Sequence, residues 1–592
     1  MTFTLKRTHK CSELRKEDLD KTVRLNGWVH NRRDHGGIIF IDLRDRYGLT
    51  QVVFDPQFDK TSHEQAEGLR REDVIAVEGV VYERKEGMEN PNLKTGQIEV
   101  YVNKLEIVSK ARTPPLEVDD RIVANEEQRL KYRYIDLRRP VMQKNLQLRH
   151  KVISSAREYF NNNDFMEIET PTLVRSTPEG ARDFLVPSRV NAGKFYALPQ
   201  SPQLYKQILM ISGCDRYYQI AKCLRDEDLR ADRQPEHTQF DFEMSFVDSE
   251  DVMQFTENLF KHVFKNAIDK DIEIPFERLT YEEAMSKYAT DKPDLRYGLE
   301  LTEVSEIVKN CDFSVFKDVV AKGGIVKAIN PEQDMGRKDI DSLIDFCQSC
   351  GANGMAWMRV TENGLESNIA KYFNEDIKKR LIEATNAKPG SMLMFIADKK
   401  DAANKVIDQL RQELAKRLNL IDENVFKFAW ITDFPLFSWD EDVEKWVPEH
   451  HMFSMPKQEH VELMDQDPGK VKGDLFDLVL NGVELGSGSI RIHDPKIQKK
   501  VMEVIGMDEK EAEQKFGFLL DAYQYGAPVH GGMGIGIDRM VVNMLCGNDI
   551  REVIAFPKNK AAQCPMDGSP NQVSNEQLKE LHIKPDLVKS TK

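Results

Sequence analysis

Side chains alternate without a break along residues 237–246. One face carries Thr238, Phe240, Phe242, Met244 and Phe246, the other His237, Gln239, Asp241, Glu243 and Ser245, the period of two that marks a β-strand. A strand with one greasy and one fully polar face either meets bulk water or floors a polar site. The loop before it reads RDEDLRADRQPE over residues 225–236. It favours the site, because the arginine fork holds phosphate and carboxylate.

Elsewhere the pattern divides the chain. Residues 1–108 hold five β-rich runs, at 25–30, 38–43, 50–54, 74–82 and 97–102, separated by turn residues; five short strands in that length suit a closed barrel of the OB type. Residues 109–140 contain Thr113-Pro-Pro and alternating charge in their first part and read as a hinge. Helical spacing comes next, over 141–162, with Leu146, Leu148, Val152, Ile153, Ala156 and Phe160 apolar. A catalytic-type region runs over 141–287 and resumes over 425–592. The mixed segment 288–424 carries no chemical constellation and reads as an inserted domain. The expected class is multidomain α+β.

Composition narrows this picture. The 592 residues, 40% hydrophobic and 31% charged, fit several soluble globular domains. No apolar run reaches the length of a membrane span, and the first residues show no signal-peptide core. The eight cysteines form no paired framework, and Cys347-Gln-Ser-Cys350 lacks the second pair a zinc site would want. Reduced thiols in a cytoplasmic protein are expected. Net charge is −15, yet residues 1–47 hold eleven Lys/Arg against seven Asp/Glu. A local basic face on an acidic protein suits a selective polyanion, and a solvated surface equally.

Six short stretches carry candidate chemistry. Residues 165–173, Phe-Met-Glu-Ile-Glu-Thr-Pro-Thr-Leu, read as helix, turn and edge strand. STPEGARDF (176–184) is a loop whose acids, Glu179 among them, could meet an amine. In QSPQLYKQ (200–207) Gln203 and Lys206 share a helical face and could hold a carboxylate. In the arginine-rich loop, Arg225 could hold phosphate while Glu227 meets an amine or metal. Asn481-Gly482 between apolar runs is a hairpin signal that pairs Val479 with Glu484. Asp477 and Glu484 then become diagonal neighbours on one face, a fair Mg²⁺ site beside phosphates. Strict alternation puts Arg491 on the opposite face, so a bulge within Gly486-Ser-Gly488 is expected to bring it in. Last, His530-Gly-Gly-Met-Gly-Ile-Gly536 lets backbone approach a ligand next to Arg539, without the ending of a P-loop.

Together these stretches resemble the three signature motifs of class II aminoacyl-tRNA synthetases. RDEDLRADRQPE, QSPQLYKQ, STPEGARDF and GSIRIH (488–493) are similar to the bacterial-type aspartyl-tRNA synthetases over essentially the whole chain. The resemblance implies an OB-fold anticodon domain, an antiparallel class II core, an insert like the GAD domain of the tRNA-dependent amidotransferase, and a homodimer. It implies that ATP and L-aspartate give aspartyl-adenylate, which the 3′ adenosine of tRNA(Asp) then attacks. The implied catalytic residues are Arg225, Arg539 and Glu484. ATP falls to Arg225, Asp226, Glu227, Gln234, His237, Glu484, Gly536, Ile537, Asp538 and Arg539, and Mg²⁺ to Asp477 and Glu484. Aspartate falls to Glu179, Gln203, Lys206, Arg225, Gln239, Asp241, His450 and Arg491. His237 departs from the phenylalanine many relatives stack on adenine; imidazole can stack too, with altered strength.

In the barrel, Arg33, Phe40, Gln51 and Glu99 match anticodon contacts. His35 and Gly87 match residues that accompany relaxed reading, in which tRNA(Asn) is also aspartylated and an amidotransferase corrects the product. A strictly discriminating enzyme, a lysyl or asparaginyl relative, and a non-catalytic OB-fold RNA-binding protein are the alternatives.

Overall fold

The computed structural model describes residues 3–122, 124–177, 181–227 and 233–586. The chain divides into two compact units, residues 1–147 with 554–571, and residues 148–553 with 572–592.

The first unit holds the barrel. Strands Thr22–His35, Ile38–Asp45, Gly48–Phe54, Val74–Glu83 and Ile98–Ser109 close on themselves, the third pairing in parallel with the fifth and the others antiparallel. Alternation sets the inside: Ile39, Ile41 and Leu43 point into a sealed core with Val23, Leu25, Val52 and Val100. Phe40 and Asp42 take the outer face between them. Residues 554–571 belong to this unit too; Arg133 donates to the carbonyls of Ile554 and Ala555, both at 2.9 Å.

The second unit is built on an eight-stranded sheet. In order across it run Glu277–Thr280, Phe428–Thr432, Leu475–Leu480, Val483–Ile490, His530–Gly536, Glu236–Ser245, Arg216–Leu224 and Met166–Glu167. Only the outermost pair at each end is parallel. The alternating strand lies near the middle. Its apolar face, Phe240 and Phe242, is fully buried against Phe160 of the helix Pro140–Asn162, and Phe242 also meets Phe255 of the helix Ser249–Ile268. Each such burial stabilises by roughly 1.5–3 kcal/mol. The alternation stops one residue short of expectation. Phe246 has φ +60 and is 78% exposed, because the chain turns out of the sheet after Ser245.

Residues 288–424 contain a five-stranded sheet of their own, ordered Leu301–Glu303, Ile325–Ile329, Met392–Asp398, Ala356–Thr361, Gly364–Glu366. Helices Arg337–Ser349 and Lys400–Arg417 bury one face with Met392, Met394 and Ile396. Helices Ser314–Ala321 and Glu375–Ala384 bury the other with Leu393 and Phe395.

Candidate active site

The polar face of Glu236–Ser245 is as buried as the apolar one. Gln239, Asp241 and Glu243 are 8%, 1% and 0% exposed, so this strand floors a site rather than meeting water. Above it opens a cavity of about 510 Å³. Fourteen of the residues expected at the site line it: Gln203, Lys206, Arg225, Glu227, Gln234, His237, Gln239, Asp241, His450, Glu484, Arg491, Gly536, Asp538 and Arg539.

Two cations and two carboxylates form the floor. The helix Gln203–Ile211 presents Lys206, whose Nζ lies 3.1 Å from Asp241 Oδ2 and 3.2 Å from Glu243 Oε2. Arg491 grips Glu243 with both arms of its fork, at 2.8 and 3.2 Å. It also donates to the Gly532 carbonyl at 3.0 Å and to Ser489 Oγ, and meets His451 Nε2 at 2.8 Å. Burial would raise Glu243, but Arg491 and Lys206 outweigh it and hold the carboxyl at about 2. Burial dominates at Asp241, whose pKa is raised against the pull of Lys206. Burial and the Arg491 charge push His451 well below the usual imidazole range, so it is neutral and accepts from the guanidinium.

The hairpin of residues 475–490 brings Arg491 here. Asn481 and Gly482 have φ +51 and +84, the paired left-handed geometry of a tight two-residue turn. Val479 pairs with Glu484 as expected, and Leu478 then pairs with Gly486, leaving Leu485 as the extra residue. The expected bulge therefore exists, one residue earlier than the glycine pair suggested. It puts Ser487, Ser489 and Arg491 on the face of Asp477, and Ser487 Oγ donates to Asp477 Oδ1 at 2.6 Å. The glycines serve close approach: a Cβ on Gly486 would stand 2.2 Å from the Gly534 carbonyl oxygen.

Asp477 does not line the cavity. It lies just behind, 4% exposed, with His450 Nε2 at 3.1 Å. Burial alone would lower His450; the Asp477 carboxylate raises it to about 9. Glu484 is raised by burial and then by the charge of Asp477, so two like charges face one another. That suits a divalent cation. Among the described residues no three His, Cys, Asp or Glu are placed to hold one alone, so its other ligands would be phosphate oxygens and water.

Among the described residues, four buried polar atoms here have no hydrogen-bond partner: Arg225 Nε, Gln203 Nε2, Asp241 Oδ1 and His450 Nδ1. Orphans of this kind are rare in folded proteins, and four around one cavity mark where a ligand binds. Arg539 stands at the other end, its Nη1 donating to the Glu484 carbonyl at 2.9 Å and 4.0 Å from the carboxylate. His237 is lowered to about 4 by burial and the Arg225 charge, so its ring is neutral.

Four expected residues are taken up by other contacts. Asp538 is held by Arg149 and accepts from the Thr238 amide at 3.0 Å. Ile537 is wholly buried at the start of the helix Ile537–Met544, leaving backbone as its means of contact. Asp226 bridges the Arg182 backbone at 3.1 Å outside the cavity. Glu227 accepts from Arg233 at 2.7 Å. Glu179 and residues 228–232 lie outside the described residues. Glu243, His451 and Ser487 carry the site as much as any residue singled out in the sequence. The alternation placed Glu243 on the polar face, but only the fold reveals its partners.

On the barrel, Arg33 binds Asp42 with two bonds of 2.9 Å and reaches Gln51 Oε1 at 3.1 Å, and Gln51 Nε2 donates to Glu99 at 2.7 Å. Phe40 sits half-buried beside this chain, cross-strand from Arg33. His35 ends the first strand before Gly36-Gly37, its ring centroid 6.2 Å from that of Phe40. Gly87 has φ +80 and open space where a side chain would be.

The family model "tRNA synthetases class II (D, K and N)" matches residues 125–560, and "OB-fold nucleic acid binding domain" matches 23–108. The chain belongs to the class II tRNA synthetases of this group, and is an aminoacyl-tRNA ligase with ATP as substrate. The aspartate–tRNA(Asp/Asn) ligase of Caldanaerobacter subterraneus subsp. tengcongensis is 52% identical over 585 residues, 98% of this chain and 99% of the relative. The aspartate–tRNA ligase of Ruminiclostridium cellulolyticum is 50% identical over 582 residues, 98% of each. Among solved structures, the asparaginyl-tRNA synthetase of Pyrococcus horikoshii, complexed with asparaginyl-adenylate, superposes with a TM-score of 0.60 at 21% identity, covering 94% of this chain and 98% of that one.

Proposed function

We propose that this chain is an aspartate–tRNA ligase that charges both tRNA(Asp) and tRNA(Asn). The observation that carries the substrate is the pair Lys206 and Arg491, both 2% exposed or less and both anchored on Glu243. Two cations fixed in a buried floor accept a short acidic side chain, and asparagine would bring no further charge for them to meet, a discrimination that needs no editing site. The α-carboxylate of aspartate attacks the α-phosphorus of ATP and pyrophosphate leaves. The terminal adenosine hydroxyl of tRNA then attacks the adenylate carbonyl, and AMP leaves. No protein nucleophile is needed; the site positions groups and neutralises charge.

Arg225, with its orphaned Nε, takes the α-phosphate, and Arg539 the γ-phosphate. His237 stacks on adenine as a neutral ring, and Gly534 and Gly536 let backbone close on the nucleotide. Gln203, Gln239 and Asp241 receive the substrate amine. Asp477 and Glu484 would hold Mg²⁺, which when bound neutralises the leaving pyrophosphate.

The outer barrel face Arg33–Gln51–Glu99, with Phe40 as a stacking platform, reads unstacked anticodon bases. His35 and Gly87 belong to the relaxed reading: the small exposed loop around Gly87 and an imidazole beside Phe40 leave room for either anticodon. Aspartyl-tRNA(Asn) then calls for a tRNA-dependent amidotransferase, and ATP and tRNA as substrates suit an enzyme of the cytoplasm. No helix among the described residues is long and apolar enough to cross a membrane. A homodimer would cover the exposed Met166, Leu173, Leu185, Val190 and Phe195 and the open sheet edge at Met166–Glu167.

The test is aminoacylation with labelled aspartate on the two purified tRNAs. Charging of both supports the full reading, and His35→Leu should then reduce charging of tRNA(Asn) far more than of tRNA(Asp). Charging of tRNA(Asp) alone, or equal loss on both, removes the relaxed reading. Charging of neither, beside an active control enzyme, restores the non-catalytic alternative.

A further inference from the structure

The segment of residues 288–424 has no chemistry of its own, yet both of its connections to the core end on one point. That point is the turn Asn481-Gly482, which joins the strand carrying Asp477 to the strand carrying Glu484. On the exit side, the Asn481 side chain donates to the Val425 carbonyl at 2.9 Å and accepts from the Lys427 amide at 2.9 Å. Its backbone amide donates to the Lys427 carbonyl at 3.1 Å. On the entry side, Gly482 packs against Asp294 so closely that a Cβ there would lie 3.2 Å from the Asp294 Cβ.

The entry loop is itself gripped from within the insert. Arg411, on the helix Lys400–Arg417, is wholly buried and has no carboxylate partner within ion-pair distance among the described residues. Instead its guanidinium donates to the carbonyls of Asp294, Tyr297, Gly298 and Leu299, at 2.8, 3.2, 3.0 and 3.1 Å. It lies over the rings of Tyr288 and Tyr297, at 4.8 and 4.4 Å. A buried cation satisfied by four carbonyls of one loop fixes the path of that loop. Lys327 makes a second such joint, its Nζ donating to the Met285 carbonyl at 2.6 Å at the end of the core helix Tyr281–Tyr288.

We propose that the insert positions the phosphate- and cation-facing hairpin: Arg411, through residues 294–299, and Asn481, through residues 425–427, hold the turn and with it the spacing of Asp477 and Glu484. Arg411 and Asn481 are positioning residues, and neither touches substrate. The inference rests on the reading of Asp477 and Glu484 as the cation site. It gives the insert a role in nucleotide binding first, because Lys206, Asp241 and Glu243 stand on other elements, and Arg491, at the far end of the hairpin from the turn, is held in place by its own bonds to Glu243 and the Gly532 carbonyl.

Asn481→Gly tests it. Glycine keeps the left-handed backbone at this position and removes both side-chain bonds. Asn481→Asp keeps the acceptor for Lys427 and removes the donor to Val425. Each full-length variant is assayed by aspartate-dependent ATP–pyrophosphate exchange while Mg²⁺, ATP and aspartate are varied in turn, with thermal unfolding alongside. Loss of a group that orients cation ligands typically weakens the site about ten-fold or more. Half-saturation by Mg²⁺ should rise about ten-fold in Asn481→Gly, less in Asn481→Asp, with the KM for aspartate unchanged. Arg411→Lys, which cannot span four carbonyls, should shift Mg²⁺ in the same direction. An unchanged Mg²⁺ dependence in folded Asn481→Gly overturns the proposal, as does an equal rise in KM for aspartate, which would mean general loosening. If Asn481→Gly does not fold, Asn481→Asp decides on the same criteria. Glu484→Gln separates the two readings: wild-type Mg²⁺ dependence in that variant removes the cation site itself. A shift there but none at Asn481 removes only the insert's part.

Discussion

The histidine at 237 sits where it refuses a proton. Burial and the neighbouring Arg225 hold its pKa at about 4, against an ordinary value of about 6.5. Above about 6.5 the imidazole is neutral in folded and unfolded chains alike, and it takes nothing from stability. As pH falls from there towards 4, the unfolded chain binds a proton that the folded site does not, so stability is lost across that window. Urea unfolding at a series of pH values between 7 and 4 should show this loss, and His237→Phe should remove its own share of the slope. The same substitution restores a larger stacking face, so KM for ATP should fall while KM for aspartate stays as it was. A slope identical in both proteins would mean that His237 titrates normally and the ring is open to water. The sequence made this residue legible because it breaks an otherwise familiar run. It did not reveal His451 as the acceptor that orients Arg491, nor Glu243 as the anchor shared by both cations. Those roles join residues 40 and 248 positions apart from Arg491 in the chain, and no local pattern encodes such a distance.

At the scale of elements, local chemistry was the reliable guide. Asn-Gly demanded a two-residue turn, the turn fixed the register, and the register set Val479 opposite Glu484. The bulge was legible for a different reason: without it Arg491 would point away from Asp477. Its exact seat was not, because Leu485 and the glycines beside it are all able to carry an extra residue, and cross-strand packing decides between them. That packing is tight. A methyl group at Gly486 would meet the Gly534 oxygen at 2.2 Å and the Ile535 Cα at 2.9 Å, both backbone atoms that cannot swing aside. Gly486→Ala must therefore part the strands Val483–Ile490 and His530–Gly536. Overpacking of this kind costs about 1–3 kcal/mol, and thermal unfolding should register it. Because both strands carry site residues, pyrophosphate exchange should fall further than the lost stability explains. Full activity in the alanine variant would show that the two strands part without cost to the site. Phe246 marks the limit of reading elements by period: the alternation included it, but a left-handed residue ended the strand one position sooner.

The whole molecule joins parts whose cores close separately, and only some of that was written in the order of the chain. Pattern and composition set an N-terminal barrel apart from the remaining residues, whereas the return of residues 554–571 to the first unit left no mark in their own sequence. The barrel nonetheless has what it needs within its own length. Its core runs from Cys11 to Val102, and the sheet is closed, so no edge is left unpaired. The buried Glu72 is neutralised by Arg44 at 2.8 Å even without Arg138, which also reaches it at 2.8 Å. A fragment of residues 1–112, which retains the 2.7 Å bond from the Ala111 amide to Asp73, should therefore fold by itself with a cooperative thermal transition. Carrying the basic excess of residues 1–47, it should bind an anticodon stem–loop with an affinity that falls steeply as salt rises. Arg33→Ala should weaken that binding, because it removes a positive charge and frees Asp42 and Gln51 from their shared partner. Circular dichroism melting and a salt titration of stem–loop binding measure both expectations. An unfolded fragment would mean that residues 554–571 and the helices before residue 147 supply part of the barrel's stability; a folded fragment that ignores the stem–loop would move anticodon reading off the Arg33–Gln51–Glu99 face.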